Sequence, residues 1–293
     1  MISPYVRQLR LAAELTALRK ESGLSSDALA RKAKLSRPAV SRLENARMRP
    51  DPDDVMKILE ALDVTGDRWT ALMIIARQAS EHGWWESSAK KMGERQALIA
   101  NLEAGAQTIH EYHMTLLPGL LQTSDYSHAR ANVDRADWST SFDPERAVDA
   151  RLGRQRMLHR PDGPLYDVVI DELAVRRPAT EDGILREQLL HIAEQAAAAN
   201  KITVRVLPVD GRVAGHMVPR SGFSIYTYPD PGDPVIVAVD TVTDDFVLTE
   251  PQAVAHYVDL YERLQIAALS PELTGQHLTR TAEQIPTLTG TTA

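Results

Sequence analysis

The sequence predicts a multidomain chain of the α plus α/β (or α+β) class, with an N-terminal five-helix domain and a larger C-terminal mixed domain around a central sheet. Three observations predict it. The length, 293 residues, suits two domains at roughly 100–200 residues each. Apolar residues through 5–78 recur at helical spacing and are interrupted by capping residues and glycine. From Gln107 onward, alternating or apolar-rich stretches take turns with helical ones, the mark of a sheet with packed helices.

The first helix is expected from about Tyr5 to Ser22, with Leu11, Leu15 and Leu18 on one face and a stop at Gly23. Ser25 caps a second, Ser26 to about Ala33, which buries Ala28, Leu29 and Ala33. Ser36 caps a third, Arg37 to Asn45, with Pro38 in its first turn, where a missing N–H costs little. Asp51 or Asp53 caps a fourth carrying Val55, Leu59 and Leu62, and Trp69, Leu72, Met73 and Ala76 mark a fifth. Helices this short need tertiary partners, so their stripes must pack on one another. Residues 1–78 thus form the first domain and 79–105 a helical connector with Trp84-Trp85 near its start.

In the second domain, 106–275, strands are expected at Thr108–Thr115, Leu165–Ile170, Ile202–Leu207, Phe223–Tyr228, Val235–Val239 and Asp245–Leu248. Helices intervene at Ser124–Asn132, Pro144–His159, Glu181–Ala199 and Pro251–Leu269. Residues 276–293 are rich in Thr and poor in apolar residues, and are expected to be a frayed tail.

Charge is divided unevenly. The total is −7, yet residues 1–50 hold 11 Lys/Arg and 4 Asp/Glu, a balance of +7, leaving 22 and 36, or −14, for the rest. A polyanion is attracted to the first fifty residues and repelled by the remainder. There are no cysteines, which excludes disulfides and thiolate metal sites and fits a reducing, cytoplasmic setting. No apolar run approaches the ~20 residues of a membrane span, and no secretory signal is visible.

The run Leu18–Ser25, Leu29–Ser36 and Val40–Asn45 sets two short helices around a tight turn, the second capped by Ser36: a helix-turn-helix. One helix braces on phosphate while the second enters the major groove. Burial of Val40 and Leu43 leaves Arg37, Pro38, Ser41 and Arg42 outward, where Arg suits guanine O6 and N7 and Pro38 suits a thymine methyl. On these residues the segment resembles the Xre family of bacterial regulators. The resemblance implies an Arg19–Glu44 pair between the first and recognition helices, and phosphate contacts from Ser25, Ser26, Arg47 and Arg49. With Ser36, Arg37, Pro38, Ser41 and Arg42 these make up the expected double-stranded DNA contacts. Three departures stand out: Ser26 occupies a common Gln position, and Lys34 and Ala46 replace glycines. Left-handed backbone at either costs a non-glycine residue ~1 kcal/mol.

The C-terminal part resembles the domain fused to Xre modules in the WhiJ-like group of actinobacterial regulators. The similarity is carried by Trp84-Trp85, Glu103-Ala104, Leu117–Thr123 with Tyr126, Arg154-Gln155, Asp171-Glu172, Gln188-Leu189, Val204–Pro208, Gly222-Phe223 and Ala268–Ser270. Asp240 stands where that group has Glu. The resemblance implies an antitoxin-like regulator paired with a small protein. Pro118-Gly119 reads either as a strand-to-helix corner or as part of a ligand or partner surface with Gln122 and Tyr126. Trp84 and Trp85 read either as core or inter-domain packing or as a platform of such a surface. The arginines at 146, 151, 154, 156 and 160 share a helix with Asp143, Glu145 and Asp149 and read as a solvated face.

Catalysis is not expected. His110 and His113 lie in a strand, where i and i+3 point to opposite faces and cannot share a metal. No His-Glu-x-x-His, Gly-x-Ser-x-Gly or phosphate-loop pattern is present. Asp171, Glu172 and Asp240 are expected to cap helices or pair with Arg176 and Arg177. No metal or cofactor is expected. These observations predict a sequence-specific, dimeric DNA-binding regulator with a C-terminal domain for dimerisation, partner or ligand binding. The alternative is an antitoxin-like interaction module that holds a small protein and binds DNA as feedback.

Overall fold

The computed structural model describes residues 2–83, 94–137, 143–198, 201–241 and 245–286. The chain divides into two compact units. The first comprises Met1–Ser87, Asn101–Gly105 and Tyr228–Pro234, and the second Ser88–Ala100, Ala106–Thr227 and Val235–Ala293. Among the described residues no helix is long and apolar enough to cross a membrane.

The first unit contains α1 (Pro4–Glu21), α2 (Ser26–Lys32), α3 (Arg37–Glu44), α4 (Pro52–Ala61) and α5 (Gly66–Ser80). Local chemistry sets their starts. Ser3, Ser25, Ser36 and Asp51 each accept a hydrogen bond from a first-turn amide through the side chain. Asp51, not Asp53, is thus the cap of α4. All five helices share one core, in which Leu15, Leu29, Val40, Val55, Leu59 and Ala76 are fully buried. A helix α6 (Glu94–Glu103) follows, and its end contributes Leu102 and Ala104 to buried positions.

The second unit is built on a six-stranded mixed sheet in the order β3-β2-β1-β4-β5-β6. The strands are β1 (Thr108–His113), β2 (Leu165–Asp171), β3 (Ile202–Leu207), β4 (Phe223–Thr227), β5 (Ile236–Asp240) and β6 (Asp245–Leu248). β1, β2 and β3 run parallel, whereas β4 to β6 are antiparallel to their neighbours. The parallel connections contain α7 (Ser124–Asp137) and α8 (Pro144–Leu158), then α9 (Glu172–Arg176) and α10 (Asp182–Ala197). One face of the sheet, with Tyr112, Val169, Phe223, Ile225 and Val237, packs under α11 (Pro251–Ala267) through Leu260, Tyr261 and Leu264.

On the other face, Glu111 is fully buried and ionised. Burial opposes the charge, but hydrogen bonds from His113 and Tyr166 with the nearby Arg154 charge hold its carboxyl below the usual range. Burial likewise opposes protonation of His113, and Glu111, 3.1 Å away, raises it on balance. His110 lies on the α11 side, stacked on Tyr261 at 5.0 Å, so the two histidines take opposite faces.

The described part of the expected tail departs from expectation, and 287–293 lie outside the described residues. Residues 276–284 are not frayed but continue α12 (Pro271–Gln284), whose Thr274, Leu278 and Ala282 are fully buried. Thr274 Oγ1 accepts the Val206 N–H at 2.9 Å, and the Leu269 N–H donates to Val206 O at the same distance. Edge strand β3 thereby loses two ladder groups to the α11–α12 joint, which closes that edge to further pairing.

Candidate nucleic-acid interface

Helix α3 is set on the core by Val40 and Leu43, both buried. Pro38, Ser41 and Arg42 are exposed on the opposite side, and Arg37 is exposed in the first turn. Asn45, not singled out from sequence, shares that side at the end of the helix, with Nδ2 donating to Ser41 O at 2.7 Å. Arg42 and Arg47 are exposed and make no ion pair among the described residues. Arg37 leans on Asp27 of α2 at 3.1 Å, with both side chains largely exposed. That pair is worth little in water and yields readily to a phosphate or a base.

The expected Arg19–Glu44 pair is present and runs through Arg19 Nε. Arg19 also donates to Leu24 O at 3.1 Å, so it ties α1 to α3 and to the turn before α2. Ser26 corrects one expectation. Its hydroxyl donates to Glu44 Oε2 at 3.1 Å, and the single proton that a phosphate contact needs is therefore engaged inside the protein. Ser25 and Ser36 differ: their oxygens accept from Ala28 and Ala39 amides, which leaves each hydroxyl proton available on an exposed side chain.

The two glycine replacements do sit in left-handed backbone, Lys34 at φ 56° and Ala46 at φ 50°. Both end helices at points where glycine pays no Cβ penalty. Lys34→Gly and Ala46→Gly are each expected to stabilise the chain by about 0.5–1 kcal/mol in denaturant titrations. An unchanged or lowered midpoint for both would show that the left-handed turns carry no strain.

Basic residues in the first fifty positions are not all available to an anion. Arg7, Arg10 and Arg19 are committed to carboxylates inside the first unit, so part of the +7 balance is structural. Gln8 of α1, also missed in the sequence, donates through Nε2 to Ala46 O at 2.9 Å and Met48 O at 2.6 Å. It pins the turn that carries Arg47.

In the second unit, the candidate surface at Gln122 and Tyr126 is corrected by burial. Tyr126 is 1% exposed. Gln122 spends its amide holding a corner, donating to Leu117 O at 2.8 Å and accepting from Arg151 Nη1 at 2.7 Å. The Pro118-Gly119 stretch is a strand-to-helix corner with a short 3₁₀ turn at Gly119–Leu121. Arg151 and the buried Arg154 likewise depart from the solvated face expected of α8, whereas Arg156 and Arg160 are exposed. Trp84 and Trp85 lie outside the described residues. A cavity of about 310 Å³ opens beside the corner, lined by Gln122, Thr123, Gln155, His159, His191 and Gln195. Burial, with the nearby His159 charge, lowers the His191 pKa despite Glu194.

Of the carboxylates at the strand ends, Asp171 and Glu172 make the expected cap and ion pair, whereas Asp240 pairs with neither Arg176 nor Arg177. Asp171 caps α9 through the Leu173 amide at 2.9 Å and accepts from Tyr112 Oη at 2.8 Å. Glu172 pairs with Arg176 at 2.7 Å and Asp240 with Arg95 at 3.3 Å, while Arg177 is exposed. Among the described residues no group of three or more potential ligands is placed to hold a metal ion.

No curated protein and no solved structure matches the chain. Residues 10–72 match the helix-turn-helix domain, which covers α2 and α3 with most of the surrounding core. Residues 96–280, well over half of the chain, match a domain of unknown function, DUF5753. The chain therefore belongs to the DUF5753 family and carries a helix-turn-helix domain ahead of the family domain.

Proposed function

We propose that the protein is a sequence-specific DNA-binding transcription regulator that reads the major groove with α3. The observation that carries this reading is the exposed side of that helix, where Pro38, Ser41 and Arg42 face outward on a helix locked to its neighbours through Glu44. Ser25, Ser36 and Arg47 flank it with exposed donors, and Arg49 follows in the same turn. In this reading Arg37 and Arg42 address bases, while Arg47 and Arg49 hold phosphate. The resemblance to Xre regulators with a WhiJ-like second domain supports it, as does the helix-turn-helix match. Readers of this size commonly bind as dimers to half-sites one DNA turn apart, and dimerisation or partner binding is assigned to the second unit on that ground. A cytoplasmic location and a non-catalytic role belong to the same reading.

Binding to a selected duplex and a scrambled one across a salt series tests the assignment. Arg42→Ala is expected to cost about 1–3 kcal/mol on the selected duplex and to relax preference at one base pair. Arg49→Ala is expected to weaken both duplexes and to flatten the slope of log K against log[salt] by about one unit. If Arg42→Ala weakens both equally while Arg49→Ala alters base preference, the orientation of α3 is wrong. If neither change affects any duplex, the helices are a protein-interaction bundle.

A further inference from the structure

We propose that the turn Asp230–Asp233, more than two hundred residues from α1 in sequence, is a positioning element of the DNA-binding unit. It belongs to the first unit, and its two carboxylates hold the start of α1. Arg7 Nη1 lies 2.8 Å from Asp230 Oδ2 and 2.9 Å from Asp233 Oδ1, and Arg10 Nη1 lies 2.7 Å and 3.3 Å from the same two oxygens. The Arg7 and Asp233 side chains are 8% and 5% exposed, so the clasp is desolvated on that side, whereas Arg10 and Asp230, at 19% and 37%, form its open side. The turn is shaped for it. Gly232 N–H and Asp233 N–H both fold back on Asp230, and a Cβ at 232 would overlap the Arg10 guanidinium. Tyr228, at the start of the segment, donates to Leu102 O at 2.7 Å and is buried near Tyr5, Glu103 and Asp233.

The clasp bears on DNA through the next side chain. Gln8 sits between the two arginines and fixes the carbonyls of Ala46 and Met48, the residues on either side of Arg47. Ala46 is held in left-handed backbone, so this turn relies on outside contacts to keep its shape. The route is Asp230 and Asp233 to Arg7 and Arg10, to the first turns of α1, to Gln8, to the turn after α3. Burial of Arg7 argues against the other role for such a contact, in which the aspartates mask arginines that would otherwise bind DNA.

The inference rests on the DNA-binding reading, and its test separates the two. Full-length protein first selects a duplex from a random library, and Asp230→Asn/Asp233→Asn is compared with it by fluorescence anisotropy across a salt series. Affinity for the selected duplex is expected to fall at least tenfold with the salt slope unchanged, since no phosphate contact is gained or lost. Gln8→Leu is expected to fall similarly, and the combined variant to lose less than the product of the separate losses. Unchanged affinity overturns the proposal, as does independent action of Gln8 and the aspartates. Tighter binding to all duplexes with a slope steeper by about two units also overturns it, in favour of masking. If the wild-type chain selects no duplex, the DNA-binding reading fails, and hydrogen exchange still decides the clasp. The Arg47 amide, bonded to Arg42 O, is then expected to exchange faster in the double variant while the Leu29 amide of α2 does not. Equal acceleration of both, or of neither, overturns the positioning role.

Discussion

Glu44→Ala is expected to destabilise the helix-turn-helix core by about 2–4 kcal/mol and to abolish measurable specific DNA binding. The side chain is 7% exposed and serves two donors, Arg19 Nε and Ser26 Oγ. Removing it leaves the Arg19 guanidinium, itself only 17% exposed, without its counter-charge. Breaking one side of a buried pair costs about 3–5 kcal/mol, whereas an exposed pair is worth ~0–1, and this one lies nearer the buried limit. Arg19 retains Leu24 O as a partner, which keeps the expected figure below the maximum. Glu44→Gln keeps one acceptor oxygen, for Arg19 Nε, and replaces the oxygen that faces Ser26 with an NH2 that the hydroxyl can accept from, and should lose about half as much. Denaturant titration of the full chain with Trp84, Trp85 and Trp138 replaced by Phe, so that Trp69 packed against the affected core reports alone, provides the measurement. A loss under about 1 kcal/mol for Glu44→Ala would mean that the pair is ornamental and that core packing alone positions α3.

The second large effect is expected in the family domain, at Gln188. This residue is fully buried on α10 and accepts the Thr123 N–H at 2.7 Å while donating to Leu121 O at 2.8 Å. Both backbone groups belong to the corner that links β1 to α7, and neither has a strand or helix partner to replace the amide. Gln188→Leu keeps the volume and removes both bonds. Each buried backbone group left unsatisfied costs about 1–3 kcal/mol, so a loss of about 2–5 kcal/mol is expected. Hydrogen exchange gives a local readout: protection of the Thr123 amide should vanish in the variant even under conditions where the sheet amides remain protected. Retained protection at Thr123 would show that another acceptor takes over and that the glutamine is a filler.

What was legible in the sequence is what local chemistry dictates. Ser25 and Ser36 cap their helices because a hydroxyl three residues before an amide can reach it whatever the rest of the chain does. Apolar spacing likewise placed most of the buried faces of α1 to α5, although α2 buries Ala30 where Ala28 was expected and Leu62 and Trp69 are only half-buried. The apolar-rich or alternating stretches placed all six strands to within two residues at either end. The Arg19–Glu44 pair was legible only by resemblance. Ser26 was misread because a hydroxyl is ambivalent: the same side chain serves a phosphate or a carboxylate, and only the position of Glu44 decides. The last helix was missed because its buried stripe reads Thr274, Leu278, Ala282, with a hydroxyl where the pattern looks for an apolar group. Thr274 is buried because its oxygen serves the Val206 amide, a contact 68 residues away. Asp230 and Asp233 were illegible for the same reason on a larger scale. Nothing near them in the chain announces that their partners are Arg7 and Arg10.

That three-segment construction of the first unit has a consequence for the order of events during synthesis. Helices α1 to α5 are synthesised by residue 80, yet the turn that holds α1 follows about 150 residues later. At roughly 5–20 residues per second, the nascent head waits on the order of 10–30 seconds before Asp230 and Asp233 arrive. During that interval Arg7 and Arg10 have no carboxylates from that turn, and the turn after α3 lacks its brace. A chain interrupted before the fourth strand of the sheet would therefore display all five helices without a finished reading head. On the proposed function, prematurely terminated products would compete poorly for operators, and DNA binding would be a property of chains translated nearly to their end.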